Sequence, residues 1–212
     1  MIPDLNPLWV SSGVVALAEM GDKTQLLALI LAARYQRPWP IILGILIATL
    51  VNHGLAGALG HWIGASMDPT RLQLILSVTF LFMAFWILIP DRIDEEVESK
   101  GTLGVLAATF VSFFLAEMGD KTQIATIALA AHQTGLLMVV LGTTLGMMIA
   151  NVPMVFLGDR IAEKLPVRAT RLVAALLFLG LAITAFIRTE LDLQTLIQDG
   201  ATTLKGLLER IA

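Results

Sequence analysis

Long apolar runs separated by short polar breaks dominate the chain. Residues 8–33, 39–63, 72–89, 103–131, 136–157 and 172–187 form six such runs. Each is long enough to cross a hydrocarbon core of about 30 Å at 1.5 Å per residue, the last only just. The pattern predicts an all-α membrane protein with six transmembrane helices. Arg34, Arg37, Pro38 and Pro40 end the first run, Pro90 ends the third, and Pro166 falls in the turn before the sixth. Trp9, Trp39, Trp62 and Trp86 lie near span ends, where indole rings favour the membrane interface. The tail after Thr189 carries leucines and isoleucines at helical spacing, interrupted by Gly200, and reads as a surface-lying helix or a frayed terminus.

Composition agrees with lipid as the solvent. Of the 212 residues, 57% are hydrophobic and 15% charged, with mean hydropathy +0.81, against about 25% charged in soluble domains. A net charge of −3 argues against a nucleic-acid partner. The absence of cysteine excludes disulfides and thiolate metal sites, and three histidines leave little room for zinc or copper, so a bound metal is held mainly by oxygen. No cleavable leader is evident in residues 1–7, which lack a basic n-region.

The order of the runs hides a duplication. Leu17-Ala18-Glu19-Met20-Gly21-Asp22-Lys23-Thr24-Gln25 recurs letter for letter at residues 115–123, an offset of 98. The same offset aligns Gly44 with Gly142, Gly60 with Gly158 and Phe80 with Phe178, with no insertion. The chain divides into a first three-helix repeat (1–90), an acidic linker (91–101), a second repeat (102–188) and a tail (189–212). Three spans per copy is an odd number, so the second copy enters the membrane from the opposite side, giving two inverted three-helix repeats. That architecture belongs to transporters, with the site near the midplane between the copies. The linker, with Asp91, Asp94, Glu95, Glu96 and Glu98, reads as a solvated connection. Of the basic residues outside the spans, Arg71, Arg188, Lys205 and Arg210 fall on one side. Arg34, Arg37, Arg92, Lys100, Arg160, Lys164, Arg168 and Arg171 fall on the other. The positive-inside rule puts the larger set, and the linker, in the cytoplasm and both termini outside.

The repeated segment carries the chemistry. Glu19 and Asp22 fall midway along the first run, and Glu117 and Asp120 midway along the fourth. A charge at the bilayer centre costs at least ~2.5–3.5 kcal/mol and by default marks an ion or proton path. On a continuous helix, residues three apart share a face, so Glu19, Asp22 and Gln25 converge, as do Glu117, Asp120 and Gln123. Inversion sets the two faces opposite each other as a cage of oxygen donors. Gly21 and Gly119 permit close approach, or unwinding that frees carbonyl oxygens. Lys23, four residues from Glu19 and adjacent to Asp22, and its counterpart Lys121 read as charge-balancing partners, or as stand-in cations when substrate is absent. Four carboxylates and two lysines leave two negative charges, which one divalent cation or two protons neutralise. Oxygen ligands without cysteine suit Ca²⁺, Mn²⁺ or Mg²⁺, and Mg²⁺ gives up its water reluctantly.

Weaker signals surround this core. His53 and Asn151 are equivalent under the offset and are candidates to line the site, while Asn52 ranks below them because its counterpart is Ala150. Thr24 and Thr122 are expected to bond to a helical carbonyl or to coordinate the ion. Gly57, Gly60 and Gly64, and Gly142 and Gly146, read as small-residue packing faces. Methionines read as filler, with Met20 and Met118 set apart by their place in the motif.

These residues resemble the signature of a known family, the calcium/manganese–proton exchangers of the Golgi with their bacterial and plastid relatives, a branch of the lysine-exporter superfamily. Its duplicated Glu-x-Gly-Asp-(Lys/Arg)-(Ser/Thr) is matched in full by residues 19–24 and by residues 117–122, and the three-plus-three layout extends the likeness over about residues 10–187. The resemblance implies export of Mn²⁺ or Ca²⁺ from the cytosol against protons, with the acidic residues as ligands and no cofactor. The lack of a long N-terminal extension or central loop suggests a prokaryotic inner-membrane version. Two other readings compete. A proton-coupled exporter of a small organic solute such as an amino acid calls for a wider aromatic lining, and Tyr35 is the only tyrosine. An intramembrane metal-dependent enzyme fits poorly with two identical motifs serving one asymmetric reaction.

Overall fold

The computed structural model describes residues 6–89, 104–132, 135–157 and 167–211, and these are helical apart from short connections. In chain order the helices are α1 (Pro7–Glu19), α2 (Lys23–Tyr35), α3 (Pro38–Ser66), α4 (Pro69–Trp86), α5 (Val105–Glu117), α6 (Lys121–His132), α7 (Leu136–Leu157) and α8 (Val167–Ile211). Four stretches are long and apolar enough to cross a membrane: α3, α4, Leu136–Phe156 of α7 and Arg168–Leu191 of α8. The molecule is a multi-pass membrane protein. The acidic linker, Pro90, Pro166, Gly158, Arg160 and Lys164 lie outside the described residues.

Local chemistry sets the helix ends. Asn6 caps α1, its Oδ1 accepting from the Leu8 N–H at 3.0 Å, with Pro7 at the first helical position. Gln36 closes α2 in the left-handed region (φ 51°), its N–H donating to the Ala32 carbonyl, and Pro38 opens α3. Asp68 caps α4 by accepting from the N–H groups of Thr70 and Arg71, just before Pro69.

The structure corrects two of the predicted helices. Residues 8–33 and 103–131 are not single helices. Each breaks inside the repeated segment, where Gly21 (φ 80°) and Gly119 (φ 75°) adopt left-handed backbone that stops a helix. α1 and α2 have 13 residues each, about 20 Å apiece at 1.5 Å per residue, so neither crosses the hydrocarbon alone. A third difference lies at the tail: α8 runs unbroken for 45 residues through Gly200, rather than ending near residue 187.

Large apolar side chains cover the outside of the bundle as well as its core, and polar ones are buried within it, as lipid permits. On α3, Leu43, Ile47, Leu50 and Leu55 are exposed while Thr49, Asn52 and His53 are buried. The two halves pack reciprocally: α1 lies along α7, and α5 along α3. Glycines permit both approaches. A Cβ at Gly142 would strike the Leu8 carbonyl and Ser11 of α1; one at Gly44 would strike the Leu106 carbonyl and Thr109 of α5. Leu106 and Thr109 stand 98 residues after Leu8 and Ser11, so the same contact is made twice. Gly57, Gly60 and Gly64 pack closely against α7 and α6, and Gly146 against α1, in agreement with their predicted role. Phe80 of α4 and Phe178 of α8, also equivalent, are fully buried against each other with ring centroids 6.4 Å apart.

Overpacking of this kind costs about 1–3 kcal/mol. Gly44→Ala and Gly142→Ala are each expected to lower thermal stability in detergent by that order. Gly180→Ala, with open space around it, is expected to leave the melting temperature unchanged or slightly raised.

Candidate functional site

Each glycine break is closed by a turn. The Asp22 N–H donates to the Glu19 carbonyl at 3.0 Å, and the Asp120 N–H to the Glu117 carbonyl at 3.1 Å. Glu19 and Asp22 therefore do not share a helix face. Glu19 ends α1 and Asp22 stands at the N-cap of α2; Glu117 ends α5 and Asp120 directly precedes α6. The shared helix face fails because it presumed unbroken helix, while the convergence of Glu117 with Asp120 is reached by the turn instead.

A glutamine braces each break. The Gln25 Oε1 accepts from the Gly21 N–H at 2.8 Å, and the Gln123 Oε1 from the Gly119 N–H at 2.7 Å. The other end of each amide reaches across to the opposite half. Gln25 Nε2 donates to the Ala150 carbonyl at 2.9 Å, and Gln123 Nε2 to the Asn52 side-chain oxygen at 2.5 Å. Asn52 and Ala150 are equivalent positions, so one acceptor site is filled by a side chain in one half and by backbone in the other. The missing polar side chain at Ala150, which ranked Asn52 low in the sequence, conceals this shared role. Asn52 also donates to the Phe114 carbonyl at 3.4 Å.

The threonines bond to their glutamates rather than to a helical carbonyl. Thr24 Oγ1 donates to Glu19 Oε2 at 2.6 Å, and Thr122 Oγ1 to Glu117 Oε2 at 2.9 Å. Each fixes the orientation of its glutamate and leaves the second oxygen, Oε1, without a hydrogen-bond partner in a fully buried side chain. Asp120 Oδ2 is likewise buried without one. A ligand oxygen from each of Glu19, Glu117 and Asp120 lies within 4.8 Å of the other two. Two oxygens bound to one Ca²⁺-sized ion are at most roughly 5 Å apart, so the trio can hold a single cation.

The lysines pair between halves rather than within a motif. Lys23 Nζ is 2.9 Å from Asp120 Oδ1, and Lys121 Nζ is 3.7 Å from Asp22 Oδ1. Lys121 also donates to the Ile89 carbonyl at 3.4 Å. Because the breaks redirect both segments, each ammonium meets the carboxylate of the other copy. Buried charges need such partners, since an unpaired ion in low dielectric carries a cost of several kcal/mol.

His53 and Asn151 are fully buried but form no hydrogen bond to the carboxylates. Neither ring nitrogen of His53 has a partner, while Asn151 Nδ2 donates to the Met147 carbonyl at 3.1 Å and leaves its Oδ1 unpaired. Sequence reasoning overlooked Arg171, which it counted only for membrane orientation. The guanidinium donates to the Gly21 carbonyl at 3.0 Å, one of the oxygens that unwinding exposes.

The family model for the divalent cation/proton antiporter GDT1 matches residues 7–95 and 105–192. The chain is similar to the "Putative manganese exporter" of Vibrio cholerae serotype O1, with 52% identity over 184 residues, covering 86% of this chain and 92% of that protein. It is also similar to a GDT1-like protein of Synechocystis, at 30% identity over 82% of this chain and 93% of the relative. GDT1-like protein 3 of Oryza sativa subsp. indica is 28% identical, over 85% of this chain and 74% of the relative. No solved structure matches. The chain therefore belongs to the GDT1 family of divalent cation/proton antiporters, and it is a transporter rather than an enzyme.

Proposed function

We propose that this protein exports Mn²⁺ from the cytosol in exchange for protons, with Ca²⁺ as the competing substrate, through one midplane site shared by two inverted repeats. One observation carries the reading: buried carboxylates of both halves, Glu19 with Glu117 and Asp120, converge within 4.8 Å with unpartnered oxygens. The 52% identity to a protein named as a manganese exporter favours Mn²⁺ over Ca²⁺.

In this reading α1 with α2, and α5 with α6, each count as one broken span, giving six. The reciprocal packing of α1 on α7 and α5 on α3 supports an inverted pair, as does the repetition of every brace within the two breaks. The Lys and Arg distribution supports an inner-membrane orientation with both termini outside the cytoplasm.

Glu19, Asp22, Glu117 and Asp120 serve as ligands. Gln25 and Gln123 hold the breaks and retain a second lone pair on Oε1 for the ion. Thr24 and Thr122 aim the glutamates. Lys23 and Lys121 occupy the aspartates when the ion is absent and withdraw as it enters. His53 and Asn151 line the approach. With all groups ionised the set carries two negative charges, so one divalent cation or two protons restore neutrality. A return of the site across the membrane with neither leaves buried charge uncompensated, which a low dielectric penalises. That penalty is what couples the two fluxes.

Proteoliposomes loaded with a Mn²⁺-sensitive dye test the site. Glu19→Gln, Glu117→Gln and Asp120→Asn are each expected to cut flux at least about 100-fold while the purified variants keep wild-type elution in gel filtration; wild-type flux in these variants refutes the assignment. Coupling is tested by pH. Metal binds the deprotonated carboxylates, so apparent Mn²⁺ affinity is expected to weaken as pH falls, by up to about 100-fold per unit if two protons compete. An affinity that stays flat across pH 6–8 rules out proton exchange at this site. Ca²⁺ is expected to inhibit Mn²⁺ flux competitively, at concentrations above those of Mn²⁺ itself.

A further inference from the structure

The duplicated halves are not in the same state. At the second break Met118 is 57% exposed and Gln123 half-buried; at the first, Met20 is half-buried and Gln25 buried. The Lys23 side chain is 30% exposed beside Asp120, whereas Lys121 is 4% exposed beside Asp22. The methionines and glutamines leave the second break the more exposed, whereas Lys23 of the first break is more exposed than Lys121 of the second and the carboxylates are equally buried in both; at its methionine and glutamine the first break is the more closely covered.

The sequence differs between halves at the point where the closure is made. Arg171, near the start of α8, donates to the Gly21 carbonyl at 3.0 Å. Its equivalent 98 residues earlier is Gln73 of α4. Gln73 makes no corresponding bond to Gly119, and its buried Oε1 has no hydrogen-bond partner. A guanidinium–carbonyl bond is charge-assisted and stronger than a neutral one. It ties α8 of the second half to the unwound segment of the first, across 150 positions of sequence.

We propose that Arg171 is a positioning residue that latches the first break shut, and that its replacement by Gln73 in the other half makes the two access states unequal. Two identical halves would populate the two states equally; one latch on one side biases them toward the state seen here. Opening toward the side of α8's first turn requires the Gly21 carbonyl to leave Arg171, which frees that oxygen to face the ion path. This inference rests on the alternating-access reading above, but its test does not require transport.

The chain has no cysteine, so single reporters Met20→Cys and Met118→Cys can be labelled with a hydrophilic thiol reagent on protein in nanodiscs, where both faces are accessible. With Arg171 present, Met118→Cys is expected to react quickly and Met20→Cys slowly. Arg171→Gln is expected to speed Met20→Cys about tenfold or more, as loss of one charged hydrogen bond implies, and to slow Met118→Cys. Arg171→Lys, which keeps a cationic donor, should fall between. Gln73→Arg in the otherwise intact chain should slow Met118→Cys by adding a second latch, and it keeps the test open if Arg171→Gln fails to fold. A twofold or smaller change at both reporters in the Arg171 variants overturns the latch. So does a parallel rise at both, the mark of simple loosening. Absence of Mn²⁺ flux in liposomes with these reciprocal shifts intact would sink the transport reading and leave the latch standing.

Discussion

Charge buried in a lipid-facing bundle has to be compensated by the protein itself, because no water is at hand to do it. Around the repeated segment both lysines form ion pairs between the halves. Lys23 meets Asp120, Lys121 meets Asp22, and Gln25 and Gln123 each reach an acceptor on the other half's long helix. Each copy thus supplies a counter-charge to the aspartate of the other.

The glycine breaks make this cross-pairing possible. An unbroken helix would carry Glu19 and Asp22 along one face and present their charges to whichever helix lay alongside. Left-handed backbone at Gly21 and Gly119 instead ends one helix and starts another. Glu19 then faces the centre from a helix C-terminus and Asp22 from a helix start, so that groups close in sequence point to different partners. The threonine and glutamine braces stabilise this unwound shape by satisfying the glycine N–H groups and one oxygen of each glutamate. Among the buried atoms left without a hydrogen-bond partner are Glu19 Oε1, Glu117 Oε1 and Asp120 Oδ2, one on each of the three carboxylates that converge. Orphaned buried acceptors are rare because each carries the full desolvation cost. Their presence on three converging carboxylates is what the proposed cation site rests on.

Much of this was legible in the sequence. The apolar runs, the offset of 98, the packing glycines and the residues of the motif can all be read from residue type and spacing. Two things could not. Periodicity alone does not say whether an internal glycine ends a helix, since the same residue is tolerated in a continuous one; the decision depends on whether Gln25 and Gln123 can reach the freed N–H, which is a matter of tertiary geometry. Pairing likewise depends on which segments face each other. Local spacing assigned Lys23 to Glu19 and Asp22, its neighbours in sequence, whereas the fold gives it Asp120. Asn52 was undervalued for a related reason: comparing side chains between copies missed that Ala150 plays the same part with its carbonyl.

The exceptions to the repeat then become its most informative positions. Where the halves agree, as at Gly44 and Gly142 or Phe80 and Phe178, equivalent contacts are made in both, and in the inverted arrangement proposed above such a frame makes the two ends of the molecule interchangeable. A frame of that kind has no intrinsic preference between its two openings, and any ligand that binds both equally cannot create one. A preference has to come from residues that break the equivalence near the site. Arg171 against Gln73 is such a residue pair, and it acts on a carbonyl within the motif itself. Symmetry in the packing glycines and asymmetry at the break are thus two parts of one design. In the proposed cycle the first would let the halves exchange roles, and the second would set which role each one holds at rest.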